Sequence, residues 1–476
     1  MPTGLTKPAS TPNYLKWLST GTKENDLVFT TGHPGATYRL NTLAHFKYRR
    51  DSALAFAIAS NEMREATTKK WMALSAENAR QGTSELFGIQ NSLKNQRGQL
   101  QGLQDPAVIA KKEADEKRVR AELAKDPAKQ KELGDAWDVI EKSLATARQL
   151  DAERNFVANA AGLNSTLFTQ ARAIVRAAYS PAPAEGARGG GQRAGGPPQG
   201  GGQRGGGAAA LNIPREKLNL TESLAFMQKY LGPNHEIVKL ILGDKSPEAR
   251  ATELIDKTRI TDPEINALLR AGGRAAVDVA TDPMIVLART LEPRAQAVEK
   301  KYADEVTTVQ AAAYPKVGAA VMAIDGGKVS SDATGTLRLS YGTVKSYVED
   351  GKKVPPYTYI SGLYERSAQH NNEAPYDLTP SWAAAKSALN PKVPFDMVTT
   401  NDIVGGNSGS AMVNKKGELV GLVFDGNLPM LAGYYTYYET SNRAISVDSR
   451  LILEALRKVY KADALVDEIA GAGKKK

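Results

Sequence analysis

The sequence predicts a multidomain chain of mixed α and β structure, with a large α-helical domain inserted into a β domain. Three observations carry this expectation. An extended run with a Gly-Pro-Gly turn stands near the N-terminus. A long stretch with helical periodicity follows, and after it the pattern returns to alternation. Insertion of helices into one β domain is the economical reading of that order. The expected boundaries are 1–48 for the first β region, 49–315 for the helical domain and 316–476 for the C-terminal β domain.

Leu27-Val28-Phe29 reads as a strand, Gly32-His33-Pro34-Gly35 as a turn, and Tyr38-Arg39-Leu40 as a resumed extended segment. From Asp51 or Ser52, either of which can cap a helix, apolar residues recur through Leu54, Phe56, Ile58, Met63, Trp71 and Leu74. Further helical stretches are expected at 84–104, 107–124, 128–178, 215–231 and 246–310. Gly82, Pro106, Pro127, Pro214, Gly232-Pro233 and Pro263 read as breaks. Residues 181–207 are a glycine-rich insert expected to be disordered, because glycine at that density cannot offset the entropy of ordering. Arg188, Arg193 and Arg204 lie in it without an aromatic neighbour, so a flexible surface loop is the reading and an RGG-type RNA contact its competitor. After residue 311 the chain becomes β-rich, with Thr336–Val344 and Gly417–Phe424 alternating. A helix at Val447–Tyr460 closes the domain, and Ala470–Lys476 should fray.

Composition narrows the chemistry. A length of 476 residues allows two or three domains, at roughly 100–200 residues each. The balance of 62 Lys and Arg against 52 Asp and Glu gives +10, partly from the Gly/Arg insert and the Lys474-Lys475-Lys476 tail. Elsewhere the two signs are mixed along helical stretches, which is the pattern of a solvated surface rather than a nucleic-acid footprint. The absence of cysteine excludes disulfides, thiolate catalysis and Cys-based zinc sites. Four scattered histidines make no ligand cluster, so no metal and no cofactor is expected. No run approaches the ~18 apolar residues of a transmembrane helix. Met1-Pro2-Thr3-Gly4 has no basic region followed by an apolar one, so it reads as no signal peptide and, taken literally, as cytoplasmic.

The chemistry centres on Asn401-Asp402-Ile403-Val404-Gly405-Gly406-Asn407-Ser408-Gly409-Ser410. Small residues on both sides of Ser408 let the backbone turn tightly and present one hydroxyl. The backbone N–H groups of Gly406 and Ser408 can then serve as an oxyanion hole. An ordinary Gly/Ser/Asn turn between strands would look similar. What separates the two readings is the following hairpin. Met412-Val413-Asn414, the turn Lys415-Lys416-Gly417 and Glu418-Leu419-Val420-Gly421 would bring 421–427 back beside the serine. That is the layout of the second barrel of a chymotrypsin-like peptidase.

Residues 399–427, TTNDIVGGNSGSAMVNKKGELVGLVFDGN, resemble the active-serine region of the bacterial dipeptidyl-peptidase 7/11 family. These are chymotrypsin-like serine exopeptidases whose β-barrel catalytic fold carries a large inserted helical domain. Residues 26–40, 87–103, 336–347 and 362–366 are similar to other segments of that family. The resemblance implies Ser408 as nucleophile and peptides with a free N-terminus as substrates, and it leaves room for a homodimer. Asp425 would bind the substrate's α-amino group, so that its fixed distance from the serine measures out dipeptides. A turn aspartate before glycine is the plainer reading of Asp425. Asn91, with Asn95 as alternative, would supply a second contact to that amine. Gly426 stands where acidic-specific members carry arginine, which leaves the S1 pocket uncharged and favours apolar or broad P1 side chains. A periplasmic or secreted location is implied in the same way.

The departure from the family is equally informative. Its triad histidine and aspartate lie upstream of the strand–GxPG segment, which here begins at Asp26. None of His33, His45, His235 and His370 matches the triad histidine, and each reads as structural or surface. The chain therefore resembles the C-terminal two-thirds of such an enzyme, with an incomplete barrel region and no activity as written. A non-catalytic peptide-binding pseudo-peptidase is the alternative.

Overall fold

A computed structural model describes residues 13–179, 211–326 and 329–471; the Gly/Arg-rich insert expected at 181–207 and the tail beyond residue 471 lie outside them. The chain divides into two compact units. One holds the residues up to Arg39 together with those from Asp332 onward, and the other is Leu40–Ser331.

The first unit is built on β1 (Leu27–Gly32), β2 (Arg338–Thr343), β3 (Tyr347–Glu349), β4 (Lys352–Val354), β5 (Tyr357–Tyr359), β6 (Pro394–Thr399), β7 (Ala411–Asn414), β8 (Leu419–Gly426) and β9 (Ala444–Asp448). Seven of them form an antiparallel sheet in the order β2-β1-β7-β8-β9-β6-β5, and β3 and β4 form a separate hairpin. The sheet curls until its first and sixth strands meet. Val344, just past β2, bridges Thr399 at the end of β6. Thr400 N donates to Thr343 O at 2.9 Å and Lys345 N to Val398 O at 3.2 Å. Gly342 permits this approach, because a Cβ there would lie 2.6 Å from Asn401 N. Buried Asn401 locks the same corner, its Nδ2 donating to Ser340 O at 3.2 Å. The inward positions Val28, Met397, Met412, Val420, Val423 and Ala444 fill the interior with Val344, Ile403 and Met430. On the outer face of β2, Leu339 and Tyr341 are exposed, as is Leu337 beside them.

Tyr38-Arg39-Leu40 is a turn and not the extended segment expected. Its polar groups are claimed elsewhere, so no ladder forms. Tyr38 N donates to Tyr434 O at 2.7 Å, and its ring stacks on Tyr434 and Tyr435. Arg39 N and Thr37 Oγ1 both donate to Asp332 Oδ1. The Arg39 guanidinium grips Asp402 with two parallel bonds, at 2.5 and 2.8 Å, and donates twice more to Gly433 O. Planar pairing of this kind fixes geometry as well as charge. It ties the segment after β1 to the stretch that carries Ser408.

The second unit is helical throughout its described residues, but its limits differ from those expected. The first helix begins at Leu43, capped by Thr42, and the last runs through Pro315 to Asp325. The unit boundaries accordingly fall at 39/40 and 331/332, and not at 48/49 and 315/316. The proline removes one backbone donor without ending an alanine-rich helix. Gly82 is no break either. It lies within the helix Ala76–Gln104, where a Cβ would meet Met72 Cγ at 2.5 Å, so it lets that helix lie close against Leu54–Met72. The expected helix 128–178 is interrupted at Gly134 and Asp135 and at Asn159–Ser165, and 246–310 is interrupted near residues 258–262, at Gly272 and near 280–282. Pro106, Pro127 and Pro263 stand at the first turn of new helices, where a missing N–H costs nothing. None of the described helices is long and apolar enough to cross a membrane.

The cap at Thr42 is a box closed by an imidazole. Thr42 Oγ1 accepts from His45 N, and His45 Nδ1 accepts from Thr42 N at 3.2 Å. An accepting Nδ1 carries no proton, and burial lowers the His45 pKa from 6.5 to about 4, with Lys112 and Arg49 acting in the same direction. The imidazole is therefore neutral in the folded state.

Two outcomes follow from these contacts. Replacing Arg39 with alanine removes a partly exposed bidentate pair and should lower stability to denaturant by roughly 1–2 kcal/mol, with lysine recovering only part of the loss. For His45 the folded pKa lies below the unfolded one, so its stabilisation is full above pH 6.5 and lost as pH falls through about 4. In urea melts over that window His45→Gln should remove up to about 3 kcal/mol of acid destabilisation, since glutamine can close the same box without titrating.

Candidate active site

The stretch from Asn401 to Ser410 is held from both ends. Ser410 N donates to Asn407 O at 2.9 Å, and Gly409 N reaches Val423 O on β8 at 2.7 Å. Asn407 is buried, and its Oδ1 accepts from Val404 N at 3.2 Å. Gly406 and Gly409 have φ of +110° and +86°, a region that side chains rarely adopt. Gly406 has a second reason to be glycine. A Cβ there would lie 2.2 Å from His33 O, because the Gly32–Gly35 turn rests on this loop and Gly35 N donates to Gly405 O at 2.7 Å. Tyr434 Oη accepts from Gly405 N, and Tyr437 Oη donates to Thr400 O at 2.5 Å. Burial, then Asp402, pushes the Tyr437 pKa up to about 12, so this phenol keeps the proton it donates.

Ser408 is exposed at the apex, and its Oγ donates to Phe424 O at 3.4 Å. The backbone N–H groups of Gly406 and Ser408 donate to no group among the described residues. Two unpaired donors beside an exposed hydroxyl are the parts an oxyanion hole needs. The expected hairpin is present. β7 pairs antiparallel with β8, which returns past the serine.

A β-bulge shapes the returning strand. Val423 pairs with Ser446 but Asp425 pairs with Ile445, so Phe424 is the extra residue. A bulge breaks the strict alternation of faces. Val423 stays in the core, while Phe424 is half-exposed and offers its carbonyl to Ser408. Asp425 follows, half-buried, with Oδ1 accepting from Gly426 N at 2.8 Å. At Gly426 a Cβ would lie 2.4 Å from Met430 Sδ, so a buried thioether lies against this position. Ser408, Gly406, Asp425 and Gly426 thus share one loop-and-strand corner. Asn91 belongs to the helical unit, exposed on Ala76–Gln104, and its side chain makes no hydrogen bond among the described residues. Asn95 accepts from Gln99 Nε2 at 2.5 Å.

The histidines are all engaged elsewhere. His33 Nδ1 lies 3.3 Å from Gly335 O. His370 stacks on Tyr376 at 3.7 Å. In the helical unit His45 closes its capping box and His235 caps the helix Glu236–Leu242. No hydrogen bond joins any of them to Ser408. Among the described residues no cluster of His, Asp and Glu could hold a metal ion.

Sequence reasoning missed Arg39, Asp402, Asp332, Tyr434 and Tyr437, which brace the loop. Arg39 and Asp402 are 363 residues apart, so no local pattern signals their pairing.

The chain matches the Peptidase S46 family over residues 5–471. It is 26% identical to an Asp/Glu-specific dipeptidyl-peptidase of Shewanella putrefaciens, across 97% of this chain and 67% of that protein. It is 23% identical to dipeptidyl-peptidase 7 of Porphyromonas endodontalis, across 97% of this chain and 56% of that one. Among solved structures, DPP11 of Porphyromonas endodontalis in complex with the dipeptide Arg-Glu superposes with a TM-score of 0.76, at 21% identity, over 96% of this chain and 66% of that chain. The chain thus spans about two thirds or less of the length of these relatives and shares their fold. It belongs to the peptidase S46 family.

Proposed function

We propose that this chain carries the nucleophile-bearing portion of a serine dipeptidyl-peptidase with a chymotrypsin-like barrel. Ser408 is the nucleophile, and the N–H groups of Gly406 and Ser408 receive the oxyanion. Asp425 holds the substrate's α-amino group. The observation that carries the reading is the corner where Ser408, two unpaired N–H donors and the strand end Asp425–Gly426 after the Phe424 bulge meet. The curling of the sheet onto β6 supports the barrel. The names of the relatives, which are dipeptidyl-peptidases, support the reaction class.

The P1 preference proposed is apolar or broad. One relative is Asp/Glu-specific by name. Here no cation stands at residue 426, and its neighbour is the Met430 thioether. Exposed Phe424 and Leu428 flank the same strand end. Capture of an acidic side chain there would leave its carboxylate without a charge partner.

The 476 residues alone are proposed to bind peptides without cleaving them. The four histidines support this, each being committed to another contact. In subtilisin, loss of the base histidine costs on the order of 10⁶ in kcat.

Calorimetry and a fluorogenic assay test the set together. The chain should release no coumarin from Met-Leu-aminomethylcoumarin, yet bind the dipeptide Met-Leu more tightly than Leu-Glu. Asp425→Ala should weaken Met-Leu binding by about 10-fold, and Gly426→Arg should reverse the preference toward Leu-Glu. Coumarin release abolished by Ser408→Ala would overturn the inactivity, and unchanged binding in Asp425→Ala would overturn the amine anchor.

A further inference from the structure

Within the helical unit a cavity of about 500 Å³ opens between the helix Leu54–Met72, the loop Asn159–Ser165 and the helix Thr166–Tyr179. That volume suits a small ligand. Its lining combines the basic residues Arg64, Arg172 and Arg176 with the apolar residues Met63, Leu163 and Phe168. None of these residues takes part in the serine-centred site.

Arg172 is the informative residue. It is 8% exposed, and its Nη2 has no hydrogen-bond partner among the described residues. Its Nε and the Nε of Arg176 both donate to Glu292, at 3.2 and 2.9 Å. One buried carboxylate therefore serves two guanidinium groups. Glu299 adds only a 3.5 Å approach to Arg176 from a half-exposed position. Burial disfavours the charged form of Arg172, and the neighbouring Arg176 cation adds to this. Nη2 itself is out of reach of the cavity, but a bound anion at the cavity face would offset the excess of guanidinium groups over carboxylates.

The surroundings select among anions. A helix N-terminus is the usual seat of a phosphate. Here the N-terminus of Thr166–Tyr179 is already taken by buried Glu216, which accepts from Ser165 Oγ, Thr166 N and Leu167 N. That leaves the planar guanidinium donors, which match a carboxylate or a phosphate alike, so the groups beside them decide the choice. Asn159 and Asn164 stand exposed at the rim, and their side-chain amides make no hydrogen bond among the described residues. Amides that can both donate and accept are complementary to a peptide backbone.

We propose that this cavity binds the free carboxylate of a short peptide, with Arg172 and Arg176 receiving the carboxylate and Asn159 and Asn164 the adjoining peptide group. The choice of a peptide rests on the peptidase reading, whereas the anion site itself rests on the two arginines that share one buried carboxylate.

The test is titration calorimetry of the 476-residue chain with N-acetyl-Ala-Ala. Its blocked amine keeps it from an amine anchor at Asp425, so the result is independent of the serine-centred site. The acid should bind and its C-terminal amide should not. Arg172→Gln should weaken binding at least about 10-fold. Ala173→Phe, which fills the cavity from an exposed position and leaves every ion pair in place, should do the same with an unchanged melting temperature. Equal binding of acid and amide, unchanged binding in Ala173→Phe, or displacement of the peptide by equimolar inorganic phosphate would each overturn the proposal.

Discussion

The closing contact between Thr343–Lys345 and Val398–Thr400 is the constraint on which the rest of the β unit depends. A sheet that curls until β2 meets β6 has to turn its chain sharply at that seam. Residues 400–410 leave β6 there and must return to β7 on the far side of the sheet order. The stretch runs as a tight loop braced at three side chains: Asn401 Nδ2 donates to β2, Asn407 Oδ1 accepts from Val404 N, and Asp402 accepts from Arg39. The exposed serine sits at the apex of that loop. Its position therefore follows from strand pairing and from a buried asparagine, more than from the glycines that first draw the eye.

If Ser408 is the nucleophile proposed above, its construction and its activation are separate problems. The loop, the bulge and the Asp425–Gly426 strand end all arise within one unit, from residues braced by Arg39, Tyr434 and Tyr437. Those braces hold backbone geometry, which is what transition-state electrostatics requires. A base is a different requirement, and each histidine here has other work. His45 shows how thorough that commitment is. Its capping box needs an unprotonated nitrogen, and burial keeps it so down to acid pH. An imidazole fixed in that way contributes to stability and is unavailable for proton transfer.

Much of this was legible in the sequence, for physical reasons. β2 alternates, but with Leu339 and Tyr341 on its exposed face, so its pattern marks a strand and not the core side; β8 is apolar because most of its first five residues are buried, and the β7–β8 turn is marked by Lys415-Lys416-Gly417. Ser408 is marked by glycines that the backbone needs at positive φ. What was misread follows from distant partners. Tyr38-Arg39-Leu40 looks like a strand until Asp332 and Tyr434 claim its donors. Gly82 looks like a helix break until Met72 is seen against it, and Pro315 lies inside a helix that its neighbours sustain. The bulge at Phe424 has no signature in the alternation of Leu419–Gly426, because it is defined by the register with β9.

The proposed reading makes Ser408 a nucleophile that is built but not activated by the residues present. The pH dependence of its labelling by a fluorophosphonate probe, followed by intact mass, tests this most directly. Slow modification is expected, without an inflection near neutral pH and unaltered by His33→Gln or His370→Gln. Rapid labelling of Ser408 with an inflection near pH 7, lost in either histidine variant, would contradict it.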